Sequence, residues 1–531
     1  MNRLAVYLNR HIDGVVYSAP SILTANSTDR SVLKYFPRLV AEPEGALDVR
    51  RLARFSYQLA QKKIPLPITL RGSGLNKNAT DIGTGLIVSL NRMNYIQEID
   101  TTQRLIRVQT GVTLGELRKS LLLHGLDFVV LGDERETIGD LIARNASAYD
   151  NTAPTTISSL ITCAEVVLSD GSLIQIEPLK NSIVKKKTKL DNFEGDIYHE
   201  LLELQKDNAD QIAKRDSLHS RAGFAGIKDF KDKKLTNLIP LFCGADNSLG
   251  IMTEVILRVE PVFDEPKRVA VVCRNANDYV KVVTLMQKLN LTDLFVYDTE
   301  LYNEIQNTGK NSKFFRKASD DGYLVTATIK DDSSGWRRRK LHRLKRELSP
   351  ACRLIIEEKD NQNDFAVLNN NLRAYLNDSS KNMFRLPLID GVYVPRDSQV
   401  RYLNAVTRMS DKLGVALAIY GRPEFDSFTV RPNYTINTAD GRRKMVAFMR
   451  EYIKMVYDLG GNACGDSSEG RFLPIFINQY RNSEELKFDG YIKQIFDPFD
   501  IMNPGIKQEA DTRNILRHFR IDYGDGIISE H

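Results

Sequence analysis

Between two apolar runs the sequence reads Arg71-Gly72-Ser73-Gly74-Leu75-Asn76. Two glycines one residue apart let backbone N–H groups turn inward around a phosphate with no side chain in the way. Ser73 and Asn76 add side-chain donors at the same turn. The stretch is not a Walker loop, because Lys77 stands at the wrong offset. It is not the dinucleotide fingerprint either, which needs GxGxxG opening a helix. A Gly-rich turn between strands also serves simple chain reversal, so phosphate chemistry here depends on the elements around it.

Those elements follow in a definite order. Asp48 to Lys62 repeats apolar residues at helical spacing, which predicts a helix. Ile64 to Leu70 and Gly85 to Leu90 read as short buried strands flanking the glycines. YIQEIDTTQRLIRVQTGVTLGELRKSLLLHGL reads strand, turn, strand, Gly-containing turn, then a helix from Leu114. ETIGDLIARNASAYDNTAPTTISSLITCAEVVLSDGSLIQIEPL predicts a turn at Gly139, a short helix, a polar loop, and two strands around Asp170-Gly171. LIPLFCGADNSLGIMTEVILRVEPV predicts a strand, a turn through Gly244 to Gly250, and a final strand. Lys180 to Asn237, with helical patterning at ELLELQKDNADQIAKR, reads as a surface helical excursion before that last strand. From about Glu265, strands and helices alternate in RVAVVCRN, KVVTLMQKLN, YLVTATIK, RRRKLHRLKREL and RLIIEE.

In order and spacing these segments resemble the vanillyl-alcohol-oxidase-type FAD-binding fold, also called the p-cresol methylhydroxylase (PCMH) type. The glycolate oxidase and D-lactate dehydrogenase group of FAD-linked oxidases is the branch most similar. The resemblance rests on DRSVLKYFPRLVAEPEGALDV, RGSGLN, and TIGDLIARNAS where the group has a double glycine. It continues through AEVVLSDG, CGADNSLGIMTEV and IFDPFDIMNPGIK, and so runs from about Asp29 to Lys507. It implies an α+β protein with a two-subdomain PCMH-type FAD-binding domain over residues 1–263, carrying the helical insertion at about 180–237. An α+β cap would span 264–455, and 456–531 would return to the FAD domain.

The same resemblance assigns roles. Arg71, Gly72, Ser73, Gly74, Leu75 and Asn76 would embrace the FAD pyrophosphate. Thr137, Gly139 and Asn145 would line the flavin or its phosphates. Ser248, Gly250 and Ile251 would lie on the adenine–ribose side and Asn503 near the ring, and Val167 and Gly244 would also bind the cofactor. Asp140 replaces a glycine of the group, and a carboxylate there suits a pyrophosphate only if it points away. Related branches attach flavin through a histidine or cysteine near the first Gly loop, and this stretch has neither. The expectation is FAD bound non-covalently.

Flavin oxidation of a 2-hydroxy acid needs a base for the hydroxyl proton and a cation opposite the carboxylate. In the group resembled, two histidines in Gly-His-x-Gly-Asp-Gly-Asn-x-His-x-x-Pro and a Glu-His pair in Gly-Glu-His-Gly-x-Gly-Arg hold a divalent metal. The last histidine is the base. Here the first pattern keeps Gly421 and Pro432 but has Arg422 and Thr429 at the histidine places. The second, inside GGNACGDSSEGRFLPIF, keeps a carboxylate as Asp466 and has Ser467 for the base. No histidine lies between His342 and His518, so no metal site is expected. In a replacement constellation Arg422 supplies the fixed positive charge, Arg373 or Arg431 clamps an anionic group, and Asp466 or Glu469 takes a proton. The plainer role for Arg422 is a salt bridge to a carboxylate such as Asp466. Two functions follow: an FAD-dependent oxidoreductase acting on a CH–OH group of a small anionic substrate, or an FAD-binding protein without turnover that serves as a scaffold or partner subunit.

Composition narrows the setting. The chain of 531 residues is too long for one core, and its net charge of +6 does not single out nucleic acid. Its five cysteines, far apart with no CxxC pair, support neither a zinc ribbon nor an iron–sulfur cluster. Lys185-Lys186-Lys187 reads as a solvated loop. No apolar run reaches the length of a membrane span. A cytoplasmic location is expected, with the basic stretch RRRKLHRLKREL able to meet acidic lipid headgroups or a redox partner at the membrane face. Oxygen, a quinone and a separate redox protein all remain open as electron acceptor.

Overall fold

The computed structural model describes residues 2–150, 153–263, 265–299, 301–302, 322–331, 333–358, 386–415, 417–434, 436–509 and 512–521. Two compact units emerge: Met1–Val262 together with Asp466–Phe519, and a second built on Phe263–Gly465.

In the first unit the Gly-rich loop leaves the end of strand Ile68–Arg71. That strand pairs in parallel with Leu86–Ser89, which pairs in parallel with Leu39–Glu42. Val15–Tyr17 closes this sheet against Leu39–Glu42 in antiparallel fashion. A parallel strand is covered on both faces and so reads as a continuous apolar run; Leu86 to Ser89 are all buried accordingly. The returning segment joins the same edge. Ile68 N–H donates to the Ile501 carbonyl at 2.7 Å, and Asn503 N–H to the Ile68 carbonyl at 2.7 Å.

The second sheet of this unit runs in the order Leu173–Ile176, Ile161–Val167, Ile251–Arg258, Leu105–Gln109, Ile96–Asp100 among the described residues. Its alternating inward residues, with helix Leu114–Leu122, build a core from Ile106, Val108, Leu117, Leu141 and Val166. Thr113 caps that helix by a reciprocal bond with Glu116.

Five local expectations change. Lys185-Lys186-Lys187, read as a loop, forms the last turn of helix Asn181–Lys187. Leu238–Phe242, read as a strand, is a helical turn over Ile239–Phe242 with Pro240 in its first positions. Proline brings a helix-compatible φ and has no N–H for a ladder. The polar loop after Asn145 is a hairpin, Ser147–Asp150 against Ala153–Thr156. Gly139 is not a turn but sits inside helix Ile138–Ala143, capped by Thr137. The excursion between 180 and 237 is more than a surface feature. Ile197, Tyr198, Leu201, Phe224, Ile227 and Phe230 enter the core that holds Phe488, Ile492 and Phe496.

The second unit is a sheet in the order Arg353–Ile356, Lys267–Cys273, Tyr323–Ile329, Thr292–Asp298, Leu417–Arg422, Ser427–Pro432, Ile389–Tyr393 among the described residues. Helices Ala276–Lys288, Ser334–Glu347, Gln399–Leu413 and Ala439–Asp458 belong to it. The hairpin Leu417–Arg422/Ser427–Pro432 turns at Asp426, whose φ of +50° an aspartate tolerates better than most residues.

Candidate functional site

The first unit brings Arg71, Gly72, Thr137 and Gly139 to one narrow cleft, walled also by Leu70, Leu90, Thr110, Asp140, Ile142, Asn247 and Met252. Gly74 has φ +71°, and a Cβ there would lie 2.4 Å from Arg71 Nη2. The Arg71 side chain thus folds across the loop, and Nη1 donates to the Thr28 carbonyl at 3.0 Å. Asn76 is spent locally, its Oδ1 accepting the Asn78 N–H at 2.7 Å.

Asp140 does not point away. Its Oδ2 accepts the Ser73 N–H at 2.9 Å, the Ser73 hydroxyl at 2.6 Å and the Thr137 N–H at 3.0 Å. A Cβ on Gly72 would lie 2.2 Å from Asp140 Oδ1 and 2.4 Å from Thr137 Oγ1, so the space over that glycine already holds the carboxylate. Nearby Asp81 is buried with Oδ2 unbonded. Burial above all, then the charges of Asp140 and Asp29, push its carboxyl well up, with Arg71 opposing. As a test of fit, the loop offers the converging N–H and O–H donors that a phosphate requires, and they already hold an anionic group. The cleft suits the FAD pyrophosphate once Asp140 yields.

The remaining expected residues of this side are largely spent on the fold. Val167 and Ile251 pair across strands and their side chains are buried with Ile68 and Leu70. Ser248 is buried and its hydroxyl donates to the Ala245 carbonyl at 2.6 Å. Gly244 has φ +81° and packs on Asn145, where a Cβ would approach the Asn145 Cβ to 3.1 Å. Gly250 lies where strand Ile251–Arg258 begins. Asn503 links three segments: Nδ2 donates to the Asp246 carbonyl at 2.7 Å and the Thr80 carbonyl at 3.1 Å, while Oδ1 accepts from Thr69 and from Arg471.

The segment Asp466–Arg471 packs on the end of the Gly-rich loop. Gly470 has φ +54°, and a Cβ there would sit 2.0 Å from the Asn78 carbonyl oxygen. Arg471 N–H donates to that same carbonyl at 2.9 Å. Asn78 Nδ2 donates to Ser467 Oγ at 2.9 Å and also to the Ser468 carbonyl. Ser467, at the base position, is therefore bound into the fold. Asp466 is half-buried and accepts the Ser147 hydroxyl. Glu469 is buried, accepts the Gly223 N–H at 3.4 Å, and lies 3.7 Å from Lys507 Nζ. The same ammonium is 3.8 Å from Asp246, whose carboxyl burial pushes up to about 6 against the opposing charge of Lys507. Asn78, Ser147, Asp246 and Lys507 were not singled out by sequence; only Arg471, closing the Gly-x-Gly-Arg frame, was a legible pointer to this cluster.

In the second unit the register places Tyr420 opposite Thr429 and Ala418 opposite Arg431. With Tyr297 opposite Tyr420, one sheet face carries Phe295, Tyr420, Arg422, Thr429 and Arg431. The Arg422 guanidinium stands 5.5 Å from the Phe295 ring centre. Arg431 is buried and its Nε donates to the Tyr420 hydroxyl at 2.9 Å. Thr429 donates to Asp390 Oδ1 at 3.0 Å and accepts the Gly391 N–H at 3.0 Å. Arg373 lies outside the described residues. Among the described residues, no group of three or more His, Cys, Asp or Glu side chains is placed to hold a metal ion.

Comparison with known proteins agrees with this architecture. Residues 37–177 match the family described as FAD binding domain, and residues 267–506 that described as FAD linked oxidases, C-terminal domain. The fold is similar to that of 4-ethylphenol oxidase from Gulosibacter chungangensis (TM-score 0.69, 14% identity, 96% of this chain and 97% of that one). It is also similar to that of p-cresol methylhydroxylase (TM-score 0.66, 13% identity, 93% and 94%). The chain thus carries the FAD-binding and C-terminal domains of FAD-linked oxidases, on a fold of the p-cresol methylhydroxylase type. Among relatives it is 23% identical to a D-2-hydroxyglutarate dehydrogenase of Pantoea ananatis over 90% of this chain and 48% of that protein. It is 19% identical to the glycolate oxidase subunit GlcD of Bacillus subtilis over 93% and 96%. The chain spans about half the length of the D-2-hydroxyglutarate dehydrogenases it matches along most of its own length.

Proposed function

We propose that this chain is an FAD-dependent oxidoreductase acting on the CH–OH group of a small anionic 2-hydroxy acid, with FAD held non-covalently and without the histidine-bound metal of its group. FAD supplies, when bound, an acceptor for the electron pair that leaves the substrate carbon. The Arg71–Asn76 loop holds the pyrophosphate, Thr137, Gly139 and Asn145 adjoin it, and the Gly244–Ile251 turn with Val167 gives the adenine side mainly backbone. Asn503 braces the ring side through its bonds to neighbouring segments.

The observation that carries the reading is the sheet face shared by Arg422 and Arg431, the first over the Phe295 ring and the second bonded to the Tyr420 hydroxyl. A planar fork of donors on a stiff aromatic base is suited to a carboxylate. Relatives named for D-2-hydroxyglutarate, D-lactate and glycolate act on 2-hydroxy acids, and this supports the substrate class. For the proton, Asp466 is favoured over Glu469. It is half-buried and can exchange a proton with solvent, whereas Glu469 is buried beside Lys507. Arg373 is retained as an alternative clamp. Oxygen, a quinone or a separate redox protein serves as acceptor. Among the described residues no helix is long and apolar enough to cross a membrane, and the exposed basic face of helix Ser334–Glu347 suits contact with acidic headgroups.

A second reading, an FAD-binding scaffold without turnover, is favoured by one feature. The hydroxyls of Ser467 and Thr429, at two histidine places, are both bound within the fold. Anaerobic mixing of the FAD-loaded protein with a panel of 2-hydroxy acids separates the two. Bleaching of the flavin by any of them supports the enzyme, and none across the panel supports the scaffold.

A further inference from the structure

We propose that Asp140 is an internal stand-in for a phosphate. Its carboxylate holds donors of the Gly-rich loop, and FAD binds by displacing it. The inference rests on the reading that Arg71–Asn76 receives the FAD pyrophosphate, and it adds what sets the affinity for that group.

Beyond the Thr137 N–H of its own capping box, the Asp140 carboxylate takes two donors from the loop on the same oxygen, the Ser73 N–H and hydroxyl. Converging N–H and O–H groups around an anionic oxygen are what a phosphate-binding loop presents. The other oxygen, Oδ1, occupies the space over Gly72, the glycine whose missing side chain would otherwise leave the backbone open to a ligand. The carboxylate thus takes both the donors and the room. Nor is it easily ignored by an incoming dianion, because Asp81 lies close enough to both Asp140 and Asp29 to feel their charges, with Arg71 opposing. A phosphate placed beside an undisplaced Asp140 would meet like charge, with both Ser73 donors already engaged.

A capping residue alone would need only the reciprocal bond with Thr137, which Asp140 also makes, its N–H donating to Thr137 Oγ1 at 3.1 Å. The additional pair of bonds to Ser73, 67 positions away, is what a cap does not require. The consequence is selective. Ligands that carry a pyrophosphate compete with Asp140, whereas a ligand without phosphate does not.

The test is titration of nucleotide-free protein with FAD, ADP and riboflavin, comparing the wild type with Asp140→Asn, Asp140→Gly and Gly74→Val, and recording melting of each unliganded protein. Asp140→Asn keeps the shape of the side chain, so the comparison stands even if Asp140→Gly folds poorly. The expected result is FAD and ADP bound about ten-fold tighter or more by both Asp140 variants, from loss of a neighbouring like charge. Riboflavin affinity stays unchanged, and the unliganded Asp140 variants melt below the wild type. Unchanged or weaker FAD and ADP binding in both Asp140 variants, with Gly74→Val still impairing it, overturns the inference and leaves the loop assignment standing. If Gly74→Val leaves FAD and ADP binding intact, the loop assignment falls and the inference with it. A gain that extends equally to riboflavin also overturns the inference, since it would not act through phosphate.

Discussion

Arg422 stands at the place of a metal-binding histidine and rests on the Phe295 ring. If its guanidinium meets the substrate anion, Arg422→Ala keeps the fold and the bound FAD but slows substrate-driven flavin reduction. Loss of one charge-assisted contact is worth roughly 1.5–3 kcal/mol, about ten- to a hundred-fold. If it only braces the sheet, melting falls slightly, by about 0.5–2 kcal/mol for a half-buried cation–π contact, and the reduction rate holds. Measuring both on one variant decides between them. Asp246 allows a second test at this scale. Its carboxyl is raised from 3.8 to about 6, with burial as the main cause. The folded chain therefore binds a proton between pH 4 and 6 that the unfolded chain has released, so stability falls as pH rises through this window and is level above it. The drop attributable to Asp246 is roughly 3 kcal/mol at most. Asp246→Asn removes that slope, visible as a smaller difference in melting between pH 4.5 and 7 than the wild type shows. An identical difference would mean that Asp246 is not protonated in the fold.

At the level of elements, the segment Asp466–Arg471 is held against the loop by contacts that tolerate only glycine at 470. Backbone at φ +54° and an Asn78 oxygen 2.0 Å from any Cβ both oppose substitution. Gly470→Ala is expected to destabilise by about 2 kcal/mol or more. If the Gly-rich loop receives FAD, the same variant also weakens FAD binding, because Asn78 lies in the chain that leaves that loop. Thermal melting and flavin titration check the two effects, and a variant as stable as the wild type would contradict the packing. Sequence patterning had placed most strands and helices of this unit, since their apolar periodicity is local. The Ile239–Phe242 turn escaped it, as an apolar run of that length reads equally as strand or helix.

For the whole molecule, the FAD-binding domain and the oxidase C-terminal domain were legible in ordered motifs, and the comparisons agree with both. The absence of His and Cys around Arg71–Asn76 leads to a direct expectation. Protein supplied with FAD turns yellow, and acid precipitation releases all the flavin into the supernatant. Flavin remaining with the pellet would show a covalent link formed elsewhere. Elemental analysis of the same preparation should find no stoichiometric zinc, manganese or iron, because Arg422, Thr429 and Ser467 replace the imidazoles.

What the sequence by itself determined was the set of short-range features: the glycine loop, the strand and helix order, and the loss of histidine at three places. Each depends on residues adjacent in the chain or repeated along it. What only the tertiary structure decided was where side chains are spent. Asp140 turns into the loop instead of away from it because Ser73, remote in sequence, offers two donors. Ser467 is bound by Asn78 from 389 positions away, and Lys507 is shared by Asp246 and Glu469. A hydrogen bond or ion pair of this kind is chosen by the partners that folding brings near, and no pattern of neighbouring residues encodes that choice.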